Sequence, residues 1–367
     1  MELGVYSFGS VQRDPATGEI GSTAEGMRNL VEGIALADEV GLDYFGIGEH
    51  HTREMPASAA AVILGAGAAA TKRIRLGSSV TVLSTDDPVR IFQQFATVDS
   101  ISGGRAEITA GRGSSTESFP LFGYDLADYD RLYAEKLELL LALNERERVT
   151  WSGTVRAPLH DALVVPRPER GRLPIWLGTG GSPASSARAG QLGMPIAYGI
   201  IGGYPARFAP LVDLYRRSAA ASGAPEADIR VAVANPGYLD TNAARARDTW
   251  WTHWDERARI IAPVRGFTPP GRDWFDQQTA PDAAFYVGEP EEIAERIIRL
   301  HGVIGHVRQF LEVDYGHLPQ RDFLHTIELL GTRVKPMVDE ELGRVPAAVA
   351  SCAPSGSSAL AVPSSTP

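Results

Sequence analysis

Short apolar runs alternate with longer amphipathic stretches from the first residues onward. Leu3 to Phe8 reads as a strand. Ser22 and Glu25 stand at capping-box spacing before Met27, Leu30, Val31 and Ile34, an i, i+3, i+4, i+7 stripe that predicts an amphipathic helix ended by Gly41. The unit then repeats. Tyr44 to Ile47 predicts a second strand, Ser58 to Ala70 an Ala-rich helix, and Ile74 to Leu83 a third strand rich in β-branched residues. Pro88 suits the first turn of the next helix, Ser102-Gly103-Gly104 its end, and Ala106 to Ala110 a fourth strand.

Between about Gly111 and Arg172 the rhythm breaks into a Gly/Ser loop, a helical pattern over Asp130 to Leu143, and Trp151-Ser-Gly-Thr with scattered prolines, which reads as a hairpin insertion. Alternation resumes with strands at Ile175, at Pro195 to Tyr198, at Ile229 to Ala234 and at Val307 to Val313. Helices are expected from Pro183, from Pro205, after Asp240 and from Pro290, and a last one carries Phe323, Leu324, Ile327, Leu330 and Val334. Eight strand candidates in one continuous rhythm predict an α/β fold, a (β/α)8 TIM barrel over residues 1–346 with the insertion between strands four and five. A doubly wound open sheet is the alternative. Residues 347–367, rich in Pro, Ser and Ala, read as a disordered tail.

Composition narrows the function classes. With 44% hydrophobic and 22% charged residues, the chain has material for a substantial core. A formal net charge of -10 argues against nucleic acid or an anionic membrane surface as partner, because both select clustered Lys and Arg. The single cysteine, Cys352, leaves no disulfide framework and no thiolate metal cluster. The N-terminus reads directly as a strand and no apolar run has membrane-spanning length, so a cytoplasmic protein is expected.

In a parallel barrel the chemistry sits at the C-terminal ends of the strands. After strand two comes Gly48-Glu49-His50-His51, where a general acid or base belongs; a pair of structural histidines is the plainer reading. A metal site would need further ligands, and His160, His253, His301, His306, His317 and His325 show no such spacing. After strand four, Gly111-Arg112-Gly113-Ser114-Ser115 lets backbone approach a ligand and offers Arg to a phosphate, although glycine loops also serve as plain turns. After strand five, Gly178-Thr179-Gly180-Gly181-Ser182-Pro183-Ala184-Ser185 places Ser182 at an N-cap and Pro183 at the first helical position. The amides there favour a phosphate, while a capped helix without ligand is the alternative.

These motifs, with Leu76-Gly77-Ser78-Ser79-Val80, Asp87-Pro88-Val89-Arg90 and Ser102-Gly103-Gly104-Arg105 in the same order, resemble the bacterial luciferase-like flavin monooxygenases. That resemblance implies a barrel using reduced FMN or, in some branches, a deazaflavin. It implies oxidation of a small organic substrate by O2 through a peroxyflavin, a separate flavin reductase as source of FMNH2, and a homodimer. Residue by residue it makes His50 the catalytic base with Glu49 and His51 as neighbours. It assigns Arg112, Ser114, Ser182 and Ser185, with the flanking Gly111, Gly113, Gly180 and Gly181, to the flavin phosphate. It also implies a non-proline cis peptide at Ser79-Val80 beneath the ring. Gly111 and Gly181 replace the cysteine and glutamate of the luciferases, so light emission is not implied. Glu117 to Gly123 matches a run found in a smaller bacterial subgroup. Phe8, Phe119 and Phe122 are candidates for shaping a substrate cavity. A deazaflavin-dependent hydride transferase and a non-catalytic flavin-binding protein are the competing readings, with a metal-dependent hydrolase more distant.

Overall fold

The computed structural model describes residues 1–14, 16–113 and 116–343. Eight parallel strands form the barrel: Glu2–Ser7, Tyr44–Ile47, Arg75–Ser78, Ala106–Gly111, Ile175–Thr179, Ile196–Gly199, Val231–Leu239 and Arg308–Glu312. They pair in chain order. The ring closes where the first strand meets the eighth, with Glu2 opposite Arg308 and Tyr6 opposite Glu312.

The helices follow from local chemistry. Ser22 caps Thr23–Glu39, its Oγ accepting the Glu25 amide at 3.1 Å. Asp87 caps Pro88–Ser102 by accepting from the amides of Val89 and Arg90, and Gly103 ends it at φ 70°. Burying the inner faces of such helices against the strands produces the main core, which runs from Leu3 and Ile34 round to Ile297, Leu311 and Ile327. A second cluster fills the barrel itself: Tyr6, Tyr44, Trp176, Ala197, Ala232, Ala234 and Phe310.

The N-terminal floor of the barrel is charged and sealed. Arg308 donates to both Glu107 carboxylate oxygens at 2.7 and 3.0 Å and to Glu2 at 2.7 Å, while the Trp176 indole donates to Glu107 at 2.9 Å. Its guanidinium lies between the Tyr44 and Trp176 rings. A buried charge is tolerable only when paired and hydrogen-bonded, and this one is both. The open end is therefore the opposite one, where the strands terminate.

Three expectations change. The third strand is not continuous from Ile74 to Leu83: it stops at Ser78, turns at the cis Ser79-Val80 bond, and resumes for Thr81–Val82 against Ala110 and Gly111. Tyr44 holds the break, its hydroxyl lying 3.1 Å from the Ser78 carbonyl and 2.9 Å from Ser79 Oγ. The helix expected from Ser58 begins at Ala60. The seventh strand runs past Ala234 to Leu239, where Tyr286–Gly288 pairs with it as an extra strand too short to carry a sequence pattern. The insertion between strands four and five contains the expected hairpin, Arg148–Trp151 against Leu159–Leu163. The tail at 347–367 lies outside the described residues, as does Ser114.

Candidate active site

A cavity of about 680 Å³ opens at the C-terminal ends of the strands, and nearly every motif singled out in the sequence lines it. Glu49, His50 and His51 enter from strand two, Ser79 and Val80 from strand three, Gly111, Arg112 and Gly113 from strand four, and Gly180, Gly181 and Ser182 from strand five. Ser185 joins through Arg112, whose Nη2 donates to its Oγ at 2.9 Å.

The floor is shaped by glycines. A Cβ at Gly111 would stand 2.3 Å from Val80 Cγ2, and one at Gly178 would stand 2.8 Å from Val80 Cγ1. Val80 thus occupies the space that side chains at 111 and 178 would need. On the other side, a Cβ at Gly46 would meet Ser79 Oγ at 2.2 Å. Ser79 and Val80 consequently lie against bare backbone on both sides.

One part of the lining has the chemistry that favours an anion. Ser182 caps Pro183–Gln191 by accepting the Ser185 amide at 3.4 Å, and Thr179 Oγ1 accepts from the amide of Gly181 at 3.2 Å. The dipole of this helix and the Arg112 cation point to the same place. Arg112 also pairs with Asp130 at 2.8 Å, but that carboxylate is largely exposed, so a phosphate can compete with it. Tyr129 fixes the loop by donating to the Gly113 carbonyl at 2.8 Å.

His50, 6% exposed, also lines the cavity and packs edge-to-face with Phe8 at a centroid distance of 4.6 Å. Its Nδ1 lies 2.6 Å from Glu117 Oε1. Burial raises the Glu117 carboxyl, yet the His50 hydrogen bond and backbone donors outweigh it and bring the value down to about 2. A carboxylate only accepts, so His50 carries its proton on Nδ1 and keeps Nε2 as the free ring nitrogen. His51 makes a different pair: its Nε2 lies 3.0 Å from Glu49 Oε1, whose other oxygen accepts the Val82 amide at 2.9 Å. Glu49 and His51 therefore brace the third-strand break.

Sequence reasoning missed the partner of His50. Glu117 was visible only as the start of a run, because its contact with His50 spans 67 positions. Of the three phenylalanines, Phe8 lines the cavity, Phe119 is fully buried against Tyr129, and Phe122 packs on His51 at 5.1 Å.

Taken together, fold and site define a parallel α/β barrel whose one cavity is lined by Arg112 beside a helix N-terminus and by the buried His50. The chain belongs to the luciferase-like monooxygenase family, which it matches over residues 1–306. It is 30% identical over 292 residues to the uncharacterized protein YvbT of Bacillus subtilis, covering 76% of this chain and 82% of that one. An F420-dependent glucose-6-phosphate dehydrogenase of Beutenbergia cavernae is 34% identical over 175 residues, 45% of this chain and 51% of that one. Among solved structures, the monooxygenase RslO1 from Streptomyces bottropensis superposes with a TM-score of 0.78 at 24% identity, covering 92% of this chain and 99% of its own. The oxygenating constituent of 3,6-diketocamphane monooxygenase from Pseudomonas putida, in complex with FMN, gives 0.72 at 18% identity, with 92% and 98% covered. The family and its neighbours are flavin- and F420-dependent monooxygenases and oxidoreductases.

Proposed function

We propose that this protein is an FMNH2-dependent monooxygenase that oxidises a small organic substrate with O2, its reduced flavin arriving from a separate reductase. The observation that carries the reading is one cavity joining the Arg112–Ser185 seat to the His50–Glu117 pair. Its size falls within the usual range of roughly 300–1,000 Å³ for small-molecule sites.

FMN fits the residues present. Arg112, the Ser182 and Ser185 hydroxyls and the amides of Gly180 and Gly181 would hold its phosphate. The glycine-backed surface of Ser79 and Val80 would receive the flat ring. Bound reduced FMN supplies the two electrons needed to place one oxygen atom of O2 in the substrate and release the other as water. His50, with Nδ1 committed to Glu117, offers Nε2 to accept or return a proton at the substrate. Phe8, Tyr6, Phe310 and Ala234 line the cavity with apolar surface that restricts water.

Hydride transfer with a deazaflavin is a second reading, favoured by the F420-dependent relative. Titrating the purified protein with FMN and with deazaflavin separates the two: FMN is expected to bind tightly and deazaflavin weakly. Turnover is expected only with FMNH2 and O2, and to be lost in His50→Ala; unchanged turnover in that variant removes His50 from the mechanism. The same reading includes a homodimer in the cytoplasm, with the charge-free helix Ala60–Ala70 and its Val62, 71% exposed, as the face to test.

A further inference from the structure

A second chamber, of about 110 Å³, adjoins the main cavity, and the two share His50 and Glu117. Its other walls are Ser10, Thr52, Glu54, Met55, Arg257, Ile260, Ile261, Gly316 and His317. Cavities of roughly 150 Å³ hold a benzene, so this smaller one admits less than a whole ring, only the end of a substrate whose remainder stays in the main cavity.

Most of its polar atoms are already committed. Ser10 Oγ donates to the Asp314 carbonyl at 2.7 Å, and Thr52 Oγ1 accepts the Met55 amide at 3.1 Å. Arg257 donates to Glu312 at 2.5 Å and lies over the Tyr315 ring at 4.2 Å. The two histidines differ from these. His317 is 4% exposed, and its Nδ1 lies 2.6 Å from the Val11 carbonyl oxygen. A carbonyl has no proton to give, so His317, like His50, carries hydrogen on Nδ1. In the neutral ring Nε2 is then an acceptor. Among the described residues neither Nε2 has a hydrogen-bond partner.

The chamber is thus lined by apolar Met55, Ile260 and Ile261 and by two histidines whose Nε2 atoms are open to accept. Its charges disfavour an anion: Glu54 and Glu117 line it, whereas its one cation, Arg257, already faces Glu312 and Asp314. We propose that this chamber takes the reacting end of the substrate and selects an uncharged hydroxyl on a small apolar group, its single O–H proton donated to His317 Nε2. The proposal rests on the flavin reading only in naming that end as the one oxidised.

The test follows methyl NMR signals of Met55, Ile260 and Ile261 in the full-length protein at about pH 8, with and without FMN. Three probes of one shape are added: p-cresol, toluene and 4-methylbenzoate. Expected is a saturable shift with p-cresol at roughly tenfold lower concentration than toluene, the worth of about one hydrogen bond, and none with 4-methylbenzoate. His317→Phe should bring p-cresol and toluene together. Ile260→Trp, at a 38% exposed position, should abolish the p-cresol shift while leaving FMN affinity within about twofold. Equal binding of toluene and p-cresol, preference for the carboxylate, or no shift with any probe would overturn the proposal. Failure of FMN to bind would instead strike the proposed function, because the methyl readout does not depend on it.

Discussion

Arg112 Nη2 donates to Ser185 Oγ across 2.9 Å, tying the loop after the fourth strand to the helix after the fifth. Two glycine-rich segments that are weak signals separately are joined by this contact beside one helix N-terminus, the place proposed for the flavin phosphate. Charge-assisted hydrogen bonds to phosphate contribute about 1.5–3 kcal/mol. Arg112→Ala should therefore weaken FMN binding roughly ten- to hundredfold. Riboflavin, which has no phosphate, should bind the two proteins alike, and fluorescence titration reads both. An equal loss for riboflavin would place Arg112 elsewhere than at the phosphate.

The fit of Val80 between glycines predicts a compensating pair. In Gly111→Ala the new methyl would stand 2.3 Å from Val80 Cγ2, an overpacking that typically costs about 1–3 kcal/mol. Thermal denaturation should show a lower Tm. Adding Val80→Ala removes Cγ2 but leaves Cβ 2.8 Å from the new methyl, so it should recover part of the loss, whereas independent sites would give additive losses.

Acid titration tests the His50–Glu117 pair. Glu117 is lowered in the folded state from 4.5 to about 2, so its contribution is present above its unfolded value and is lost as pH falls from about 4.5 to 2. Partial exposure of Glu117 trims the size of the effect. Glu117→Gln should make stability against denaturant fall less steeply across that window than in the parent protein. Parallel curves would mean that the carboxylate gains nothing from folding.

Homodimer formation is tested at Val62. Helix Ala60–Ala70 has no charged residue, and Val62 and Ile101 are exposed large apolar side chains on this helix and the next. Light scattering after gel filtration should report a dimer for the parent chain and a monomer for Val62→Lys. A parent monomer would exclude the pairing.

Much of this architecture was legible in the chain, because it is local. Strand and helix periodicities, the Ser22 and Asp87 caps and the Gly103 stop each depend on residues within a few positions, and together they marked eight strands alternating with helices along the chain, while closure into a ring was settled by the strand pairing. The rim motifs were legible for the same reason: a residue following a barrel strand faces the open end wherever the strand lies. Tertiary structure decided the partnerships. Glu117 reaches His50 across 67 positions, Ser185 reaches Arg112 across 73, and His317 reaches Val11 across 306. Only closure of the ring brings these atoms within hydrogen-bonding range, since no periodicity along a chain encodes the distance between strands that its own sequence does not make adjacent.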